Sequence, residues 1–330
     1  MRKFLIFRTD RIGDFIASKI IIESIKSENK NNKIDIVCSK YNKKYISHYN
    51  SISNLFILEK RNLINYIKNI KLLRNFNYDY LIILDGKRRS LIFSFLIKAN
   101  FKILLFKRQS LLLFIAKLLS YNIFFNSEKN FQFDNFKKLL KIIKIPPIIQ
   151  FNYYKDYKFK NRKKFKFNNF LHLHLDEKWF EGYHYNDFNY MGLNVKNINN
   201  FLFFLLKKFK KKIVITSGFK KISTLEEIIN LNFDKKKLNF QHKLYKSKIT
   251  FFKNLDFRDL ELLVKQSKIL IACEGAISHV SNSLNIPSVI LIQKNRKQTA
   301  LFWTGHMNNI NRVYRSPIKN VMQQINKIKL

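Results

Sequence analysis

The chain has 330 residues, of which 46% are hydrophobic and 15% aromatic, enough apolar material for two ordinary cores, so wholesale disorder is excluded. Lysine and arginine number 63 against 22 acidic residues, and the formal charge of +41 indicates either an anionic partner or simply a lysine-rich surface. Cys38 and Cys273 lie far apart in apolar runs and fit neither a disulfide framework nor a zinc motif. We therefore expect a reducing, cytoplasmic environment.

Basic residues are scattered along the whole chain, with runs at residues 207–212 and 235–237. Because no aromatic stacking platform is interleaved with them, we predict that the chain does not bind nucleic acid. The first apolar run is broken at Arg8 and Asp10, before a signal peptide is complete, so we expect a first strand there.

Residues 90–120 form the most apolar stretch, but lysines and arginines interrupt it too often for a membrane span. Two interpretations stay open. The stretch could contain ordinary core helices around a strand. Alternatively, its alternation of apolar and cationic residues could make a peripheral contact with the anionic surface of the inner membrane.

The amino-terminal half alternates short apolar runs with segments of helical periodicity. The predicted strands are residues 4–7, 33–38, 54–58, 80–84 and 102–106, and the predicted helices are residues 15–27, 41–49, 63–76 and 134–143. Nearly continuous hydrophobicity is typical of strands that are buried on both faces. The pattern therefore predicts a βαβ series with a parallel sheet.

A charged turn at residues 8–14, Arg-Thr-Asp-Arg-Ile-Gly-Asp, joins the first strand to the first helix. In α/β proteins such a turn presents reactive groups at the carboxyl edge of the sheet, which makes Asp14 the leading catalytic candidate. The ordinary alternative is that Asp14 only caps the helix. A second turn, Asp-Gly-Lys-Arg-Arg at residues 85–89, places further charge at the same edge.

The pattern restarts after a segment without clear periodicity. The predicted strands are residues 170–175, 212–217, 249–252, 268–273 and 288–292, and the predicted helices are residues 195–209, 223–231, one that ends at residue 266 and one that the motif 274–279 opens. Ser223 and Glu226 are spaced as a capping box, and Asp256 is expected to cap the helix that follows it. We thus predict an amino-terminal domain at 1–150, an interdomain crossing at 151–168 and a carboxy-terminal domain at 169–330.

These residues resemble glycosyltransferase family 9, the ADP-heptose:lipopolysaccharide heptosyltransferase family. The family opens with a strand and Arg-x-x-x-x-Gly-Asp, as residues 8–14 do, and residues 272–289 align without a gap with its closing Asp-Thr/Ser-Gly-x-x-His, helix, proline and strand. Lys178 and Trp179 give a weaker match in the middle. Three positions depart from the closing motif, because residues 274–276 are Glu-Gly-Ala where the family has Asp, Thr or Ser, and Gly.

The resemblance implies an α/β protein of GT-B type, with two Rossmann-like domains that face each other across a cleft. It implies that Asp14 is the general base, supported on the acceptor side by Arg8, Arg11 and Gly13. On the donor side it implies the following residues: Lys178, Gly218, Glu227, Leu255, Glu274, Gly275, Ala276 and His279. It also implies an ADP-sugar donor, with no metal and no other cofactor.

Each donor-side residue also has an ordinary interpretation. Lys178 could be one more surface lysine, Leu255 and His279 could be core residues, and Glu274 could simply complement a helix dipole. Glu227 is preferred as the nucleoside contact because Glu226 is assigned to capping. His172 and His174 share one face of a strand, but no further ligand completes a metal site.

We therefore predict an inverting, metal-independent glycosyltransferase that moves a sugar, heptose by family default, to a lipopolysaccharide core or a related anionic glycolipid or glycan. We expect this bacterial enzyme in the cytoplasm, peripheral to the inner membrane. Two other classes stay open: a catalytically silent sugar-nucleotide or glycan binding protein of the same fold, and a basic protein that binds membrane surfaces or nucleic acid.

Overall fold

The computed structural model describes residues 1–58, 63–106, 111–125, 131–148, 165, 167–180, 191–236 and 239–329. The chain folds into two compact units, Met1–Lys160 and Asn161–Leu330, and each unit has its own sheet. The predicted crossing at 151–168 lies mostly outside the described residues. Within those ranges, no helix is long and apolar enough to cross a membrane.

The first unit contains a six-stranded parallel sheet with helices on both faces. Its strands are β1 (Lys3–Arg8), β2 (Lys33–Cys38), β3 (Asn54–Ile57), β4 (Tyr78–Ile83), β5 (Ala99–Phe106) and β6 (Tyr121–Phe125). Its helices are α1 (Ile12–Glu28), α2 (Lys40–Ile46), α3 (Leu63–Arg74), α4 (Arg88–Phe95), α5 (Leu111–Leu118) and α6 (Gln132–Ile142). The strand order, β3-β2-β1-β4-β5-β6, is that of the Rossmann fold.

Helices α3, α4 and α5 form one layer on this sheet. Right-handed crossovers from β3 to β4, β4 to β5 and β5 to β6 all run in the same direction, which puts their helices on the same face. Buried side chains of the three helices, such as Leu73, Leu91 and Ala116, join one core cluster with Leu81 and Leu104 of the sheet. Helix α6 packs against α1 instead.

The second unit contains an eight-stranded sheet. Its strands are β7 (Phe170–Leu175), β8 (Lys212–Ser217), β9 (Phe233–Lys235), β10 (Phe240–His242), β11 (Ile249–Phe252), β12 (Ile269–Cys273), β13 (Ser288–Ile292) and β14 (Ile310–Tyr314). Its helices are α7 (Val195–Phe209), α8 (Ser223–Asn232), α9 (Phe257–Gln266), α10 (Ala276–Ser283), α11 (Lys297–Thr304) and α12 (Ile318–Asn326). The order is β14-β13-β12-β7-β8-β11-β10-β9, and only β10 runs antiparallel to its neighbours.

The α/β class is confirmed, and the helix starts supply two corrections. Helix α1 begins at Ile12 with Arg11 as its N-cap, so Asp14 is not the N-cap residue, although its carboxylate in the first turn accepts a hydrogen bond from the Arg11 backbone N–H as in a capping box. Helix α8 has Ile222 as its N-cap without a side-chain cap, so the capping box that pairs Ser223 with Glu226 is wrong. The predicted cap of α9 is confirmed, because the Asp256 carboxylate accepts a hydrogen bond from the backbone of Asp259 at 2.9 Å.

Candidate functional site

Two loops meet at the carboxyl ends of β1 and β4. These strands are neighbours, but the chain leaves β1 toward β2 and leaves β4 toward β5, so the order of strands reverses between them. Open α/β sheets bind ligands in the crevice that forms at such a reversal. The predicted turn at residues 8–14 and the turn at residues 85–89 both lie here.

Arg8 fixes the geometry of this edge. Its side chain is buried, and the guanidinium donates to the backbone carbonyl of Asp14 from Nε at 2.9 Å and from Nη2 at 2.7 Å. Nη1 donates to the carbonyl of Leu84 at 2.8 Å and forms an ion pair with Asp10 at 3.2 Å. Arg8 therefore ties the first turn of α1 to the end of β4, which is a positioning role.

Asp14 is half-buried in the first turn of α1, with Gly13 directly before it. Its carboxylate oxygen Oδ2 accepts a hydrogen bond from the backbone N–H of Arg11 at 3.2 Å. The hydrogen bonds from Arg8 to Asp14 go to the backbone carbonyl, so they do not occupy the Asp14 carboxylate. The structure thus brings together the four acceptor-side residues, Arg8, Arg11, Gly13 and Asp14.

The carboxyl groups of Asp10 and Asp85 also lie at this edge, and the sequence analysis assigned neither of them a role in the site. Burial raises the pKa of Asp10 to about 6, while the neighbouring Arg8 guanidinium opposes the shift. Oδ1 of Asp10 is buried with no hydrogen-bond partner among the described residues. Asp85 accepts from Thr9 Oγ1 at 2.5 Å, and Lys87 Nζ donates to the Thr9 carbonyl at 2.9 Å. These contacts lock the two turns together.

The second sheet has its own reversal of strand order between β7 and β12. Asp176 follows β7, and its carboxylate accepts a hydrogen bond from the backbone of Lys178 at 3.1 Å. Burial raises the pKa of Asp176, and the cations Lys178 and Arg315 oppose that rise. A carboxyl group and two cations therefore share the carboxyl edge of this sheet.

Lys178 reaches across the reversal to the motif after β12. Its ammonium donates a hydrogen bond to the backbone carbonyl of Glu274. A Cβ atom built on Gly275 would lie 3.4 Å from the same ammonium. Ala276 is the first residue of α10, and the first turn of a helix has backbone N–H groups without partners inside the helix. The lysine and this helix start together form a site with the chemistry of an anion binder.

His279 is more deeply buried than Glu274, Gly275 and Ala276 of the same motif. It is buried in α10, and its ring stacks on that of His306 with centroids 6.2 Å apart. Glu274, Gly275 and Ala276 are half-buried. The structure brings Lys178, Glu274 and Gly275 into direct proximity.

A pocket of about 320 Å³ opens beside Gly218, at the end of β8. Glu226 lines this pocket and forms an ion pair with Lys253, which also lines it. Glu227 is exposed and is not among the lining residues. Glu226 does not cap α8, so the reason for preferring Glu227 over Glu226 as the nucleoside contact no longer holds.

Gly218 lies close to Asp176, whereas Leu255 packs partly into the core. A Cβ atom on Gly218 would lie 3.3 Å from Cβ of Asp176, which is tighter than ordinary packing, so a side chain here would require Asp176 to move by a few tenths of an ångström. Leu255 is half-buried and packs against the cluster that contains Phe252 and Leu263. Part of its side chain thus belongs to the core.

His172 and His174 form a buried network with Thr216. Nε2 of His172 and Nδ1 of His174 lie 2.8 and 2.9 Å from Thr216 Oγ1. Burial lowers the pKa of both rings, that of His174 to about 4, so both are neutral at physiological pH. Among the described residues, no group of histidine, cysteine and acidic side chains could hold a metal ion.

Arg315 was missed by the sequence analysis. It directly follows β14, is buried, and its Nε atom has no hydrogen-bond partner in the described part of the chain. Its charge acts on Asp176 and Cys273, two groups far from it in sequence. No local motif surrounds Arg315, so only the strand order could have indicated this placement.

No family model matches the chain, and no curated protein matches it. Among solved structures, the E. coli heptosyltransferase WaaC with ADP-2-deoxy-2-fluoro heptose has a TM-score of 0.70 at 11% identity, over 98% of this chain and 98% of that chain. The E. coli ADP-heptose lps heptosyltransferase II has a TM-score of 0.67 at 12% identity, over 99% and 98% of the two chains.

A third similar structure is that of a protein which carries the family name. The glycosyl transferase family 9 protein from Veillonella parvula has a TM-score of 0.68 at 11% identity, over 100% of this chain and 90% of that chain. The likeness extends over both units, and the GT-B type expected from the resemblance is confirmed at the level of fold. The chain therefore has the fold of the glycosyltransferase family 9 heptosyltransferases.

Proposed function

We propose that the chain is an inverting, metal-independent glycosyltransferase that takes a sugar from a nucleoside diphosphate sugar. By family default the donor is ADP-heptose, and the acceptor is a lipopolysaccharide core or a related anionic glycolipid. The observation that carries the proposal is the location of the two motifs. Residues 8–14 and 274–279 each lie where the strand order of a Rossmann-like sheet reverses.

Asp14 supplies the base in this proposal. Its carboxylate accepts the proton of an acceptor hydroxyl, and the hydroxyl oxygen forms a bond to the anomeric carbon of the donor sugar. The bond from that carbon to the diphosphate oxygen breaks at the same time, and its electron pair leaves with the diphosphate. A single in-line displacement of this kind inverts the configuration at the anomeric carbon.

Lys178 and the start of α10 stabilise the leaving diphosphate. A positive side chain and a helix amino terminus favour the negative charge that develops on the departing oxygen. The hydrogen bond from the Lys178 ammonium to the Glu274 carbonyl, beside the helix start, supports this role. The similar E. coli heptosyltransferase WaaC has been solved with ADP and with ADP-2-deoxy-2-fluoro heptose, which supports a nucleotide-sugar donor.

The partners beyond the donor follow from charge and from the resemblance. A chain with a formal charge of +41 is suited to an anionic glycolipid acceptor. The basic apolar stretch at residues 90–120 supplies a peripheral contact with the cytoplasmic face of the inner membrane. Within this proposal no nucleic acid takes part.

The test compares the wild type with Asp14→Asn and with a matched control, Asp234→Asn, at an exposed position of β9 in the second unit. Release of nucleoside diphosphate is measured with ADP-heptose and a panel of other nucleotide sugars. Asp14→Asn is expected to lower turnover about 10²- to 10⁴-fold, the range of general-base catalysis. Its melting temperature should stay close to that of the wild type, because Arg8 binds the Asp14 backbone and not its carboxylate.

The alternatives give different results in the same experiment. A wild type that binds a nucleotide sugar but never turns it over is a silent binding protein. Strong RNA affinity with a steep salt dependence, and no stabilisation by any nucleotide sugar, identifies a nucleic-acid-binding protein instead.

A further inference from the structure

The outer surface of the layer formed by α3, α4 and α5 is unusually apolar. Fifteen large hydrophobic side chains are exposed among the described residues, and seven of them lie on these helices or one residue past their ends. They are Ile67, Leu72, Ile92, Leu96, Phe114, Leu118 and Leu119. Phe114 and Leu118 are 62% and 69% exposed. Such a concentration on one helix layer differs from the single exposed apolar residues that any soluble surface carries.

Every exposed charge on the three helices is positive. Among the described residues, the exposed cations on these helices or within three residues of their ends are Lys68, Lys71, Arg74, Arg88, Lys98 and Lys117. The sequences of α3, α4 and α5 contain no aspartate or glutamate. We call these seven apolar and six cationic side chains the cationic apolar face.

The cationic apolar face is one surface, since its three helices cover the same side of the sheet. Ile70 of α3, Phe93 of α4 and Ala116 of α5 point into one shared core cluster. The exposed side chains on the same helices therefore point away from that core. The residues interleave along each helix, as Lys117 and Leu118 do on α5.

We propose that the cationic apolar face docks onto a bilayer surface that contains anionic phospholipid. The apolar side chains enter the boundary between headgroups and acyl chains, and the lysines and arginines pair with the lipid phosphates. This proposal enlarges the contact at residues 90–120 by adding α3, and it gives the contact a defined surface.

Charge decides between this occupant and the others. A second copy of the chain would set the same face against itself in a two-fold dimer, and six cations would then meet six like charges. Nucleic acid would use the cations but would leave exposed leucine and isoleucine side chains unpaired with any base. An anionic bilayer satisfies both components of the face at once.

The link to glycosyl transfer rests on the proposed function, because the same unit carries Asp14 and the proposed acceptor is a glycolipid. Docking itself needs no turnover. Vesicle binding can therefore be measured without any sugar donor, and each proposal can fail without the other.

The test is co-sedimentation of the full chain with vesicles of phosphatidylcholine alone or of phosphatidylcholine mixed with phosphatidylglycerol. We expect binding to the mixed vesicles only, and weaker binding at high salt. The double variant Phe114→Glu/Leu118→Glu should lower the partition coefficient more than about tenfold, since two apolar side chains no longer enter the bilayer. The control Phe203→Glu/Leu244→Glu makes the same change at two exposed positions of the second unit and should bind nearly as the wild type does.

A second pair of variants tests the cations. Lys68→Gln/Lys71→Gln on α3 should lower the partition coefficient roughly 25-fold, at about fivefold for each lysine near an anionic surface. Lys196→Gln/Lys207→Gln removes two exposed lysines from α7 and serves as the matched control. Melting temperatures confirm that all four variants are folded.

Three outcomes overturn the docking proposal. The wild type does not sediment with the mixed vesicles, or both control variants lose binding as much as the variants of the face do. The third outcome is that the wild type forms a dimer in light scattering, that the variants of the face abolish this dimer, and that the wild type does not bind vesicles. Failure of the glycosyltransferase proposal is separate, and is seen as no nucleotide-sugar turnover by a chain that still binds vesicles.

Discussion

The ammonium of Lys178 donates a hydrogen bond to the backbone carbonyl of Glu274, which lies 96 residues further along the chain. The contact joins the end of β7 to the end of β12, the two strands between which the order of the second sheet reverses. A fixed positive charge thus lies beside the first turn of α10. The motif around Lys178, which was the weakest of the three matches in the sequence, therefore lies beside the start of α10.

We expect Lys178→Met to weaken binding of ADP about tenfold to a hundredfold, since a hydrogen bond to a charged group contributes about 1.5–3 kcal/mol. The measurement is isothermal titration with ADP. Lys207→Met, at an exposed position of α7, is the control and should leave the affinity unchanged. Equal affinity of Lys178→Met and wild type would show that the diphosphate binds elsewhere.

Gly275→Thr should strengthen donor binding. The family has a hydroxyl residue at this position, and a Cβ atom here would lie 3.4 Å from Lys178 Nζ, which is ordinary van der Waals contact. The φ angle of Gly275, 163°, is extended backbone that any residue adopts. The added hydroxyl can donate to a phosphate oxygen, which is worth about fivefold in affinity. Gly275→Val has a similar shape without the hydroxyl, so a gain shared by both variants would contradict this explanation.

Arg8→Met should destabilise the fold by about 3–5 kcal/mol, measured by urea unfolding. The change removes the hydrogen bonds to Asp14 and Leu84 and leaves the carboxylate of Asp10 without its ion pair. Arg8→Met/Asp10→Asn should recover part of that loss, because the uncompensated charge is gone. If the double variant is less stable than Arg8→Met, the ion pair is not the source of the effect.

Strand positions were predictable from the sequence because buried parallel strands are nearly continuous apolar runs. Residues 170–175 and 288–292 coincide with β7 and β13. Strand β6 was not predicted, since it is short, includes Asn122 and directly follows a helix. The roles of Arg315 and Lys253 depend on partners that are distant in sequence, so no local pattern could have indicated them.

The glutamate that faces the pocket shows how a local pattern can mislead. Ser223 and Glu226 have capping-box spacing, yet α8 begins one residue earlier than that box requires, and Glu226 lines the pocket beside Gly218. We expect Glu226→Gln to weaken ADP binding at least about fivefold, through a lost hydrogen bond to the nucleoside. Glu227→Gln is the adjacent control, and because its side chain is exposed and does not line the pocket, it should leave the affinity for ADP unchanged. The reverse ranking of the two variants would restore Glu227 as the nucleoside contact.

The pair His172 and His174 should make the second unit sensitive to acid. Both rings are held neutral by burial, and the folded-state pKa of His174 is lowered to about 4 from an ordinary value of 6.5. A group with a lowered folded pKa binds more protons when unfolded, so its contribution to stability is complete above about pH 6.5 and is lost as the pH falls toward about 4.

Urea unfolding between about pH 7 and pH 4 measures this loss. Each histidine should contribute a slope of about 1.4 kcal/mol per pH unit once the pH is below its unfolded pKa. His174→Gln keeps a hydrogen-bonding group near Thr216 but cannot titrate, so its free energy of unfolding should fall less steeply with acid than that of the wild type. A variant that is merely less stable, with the same slope at every pH, would show that His174 is not the titrating group.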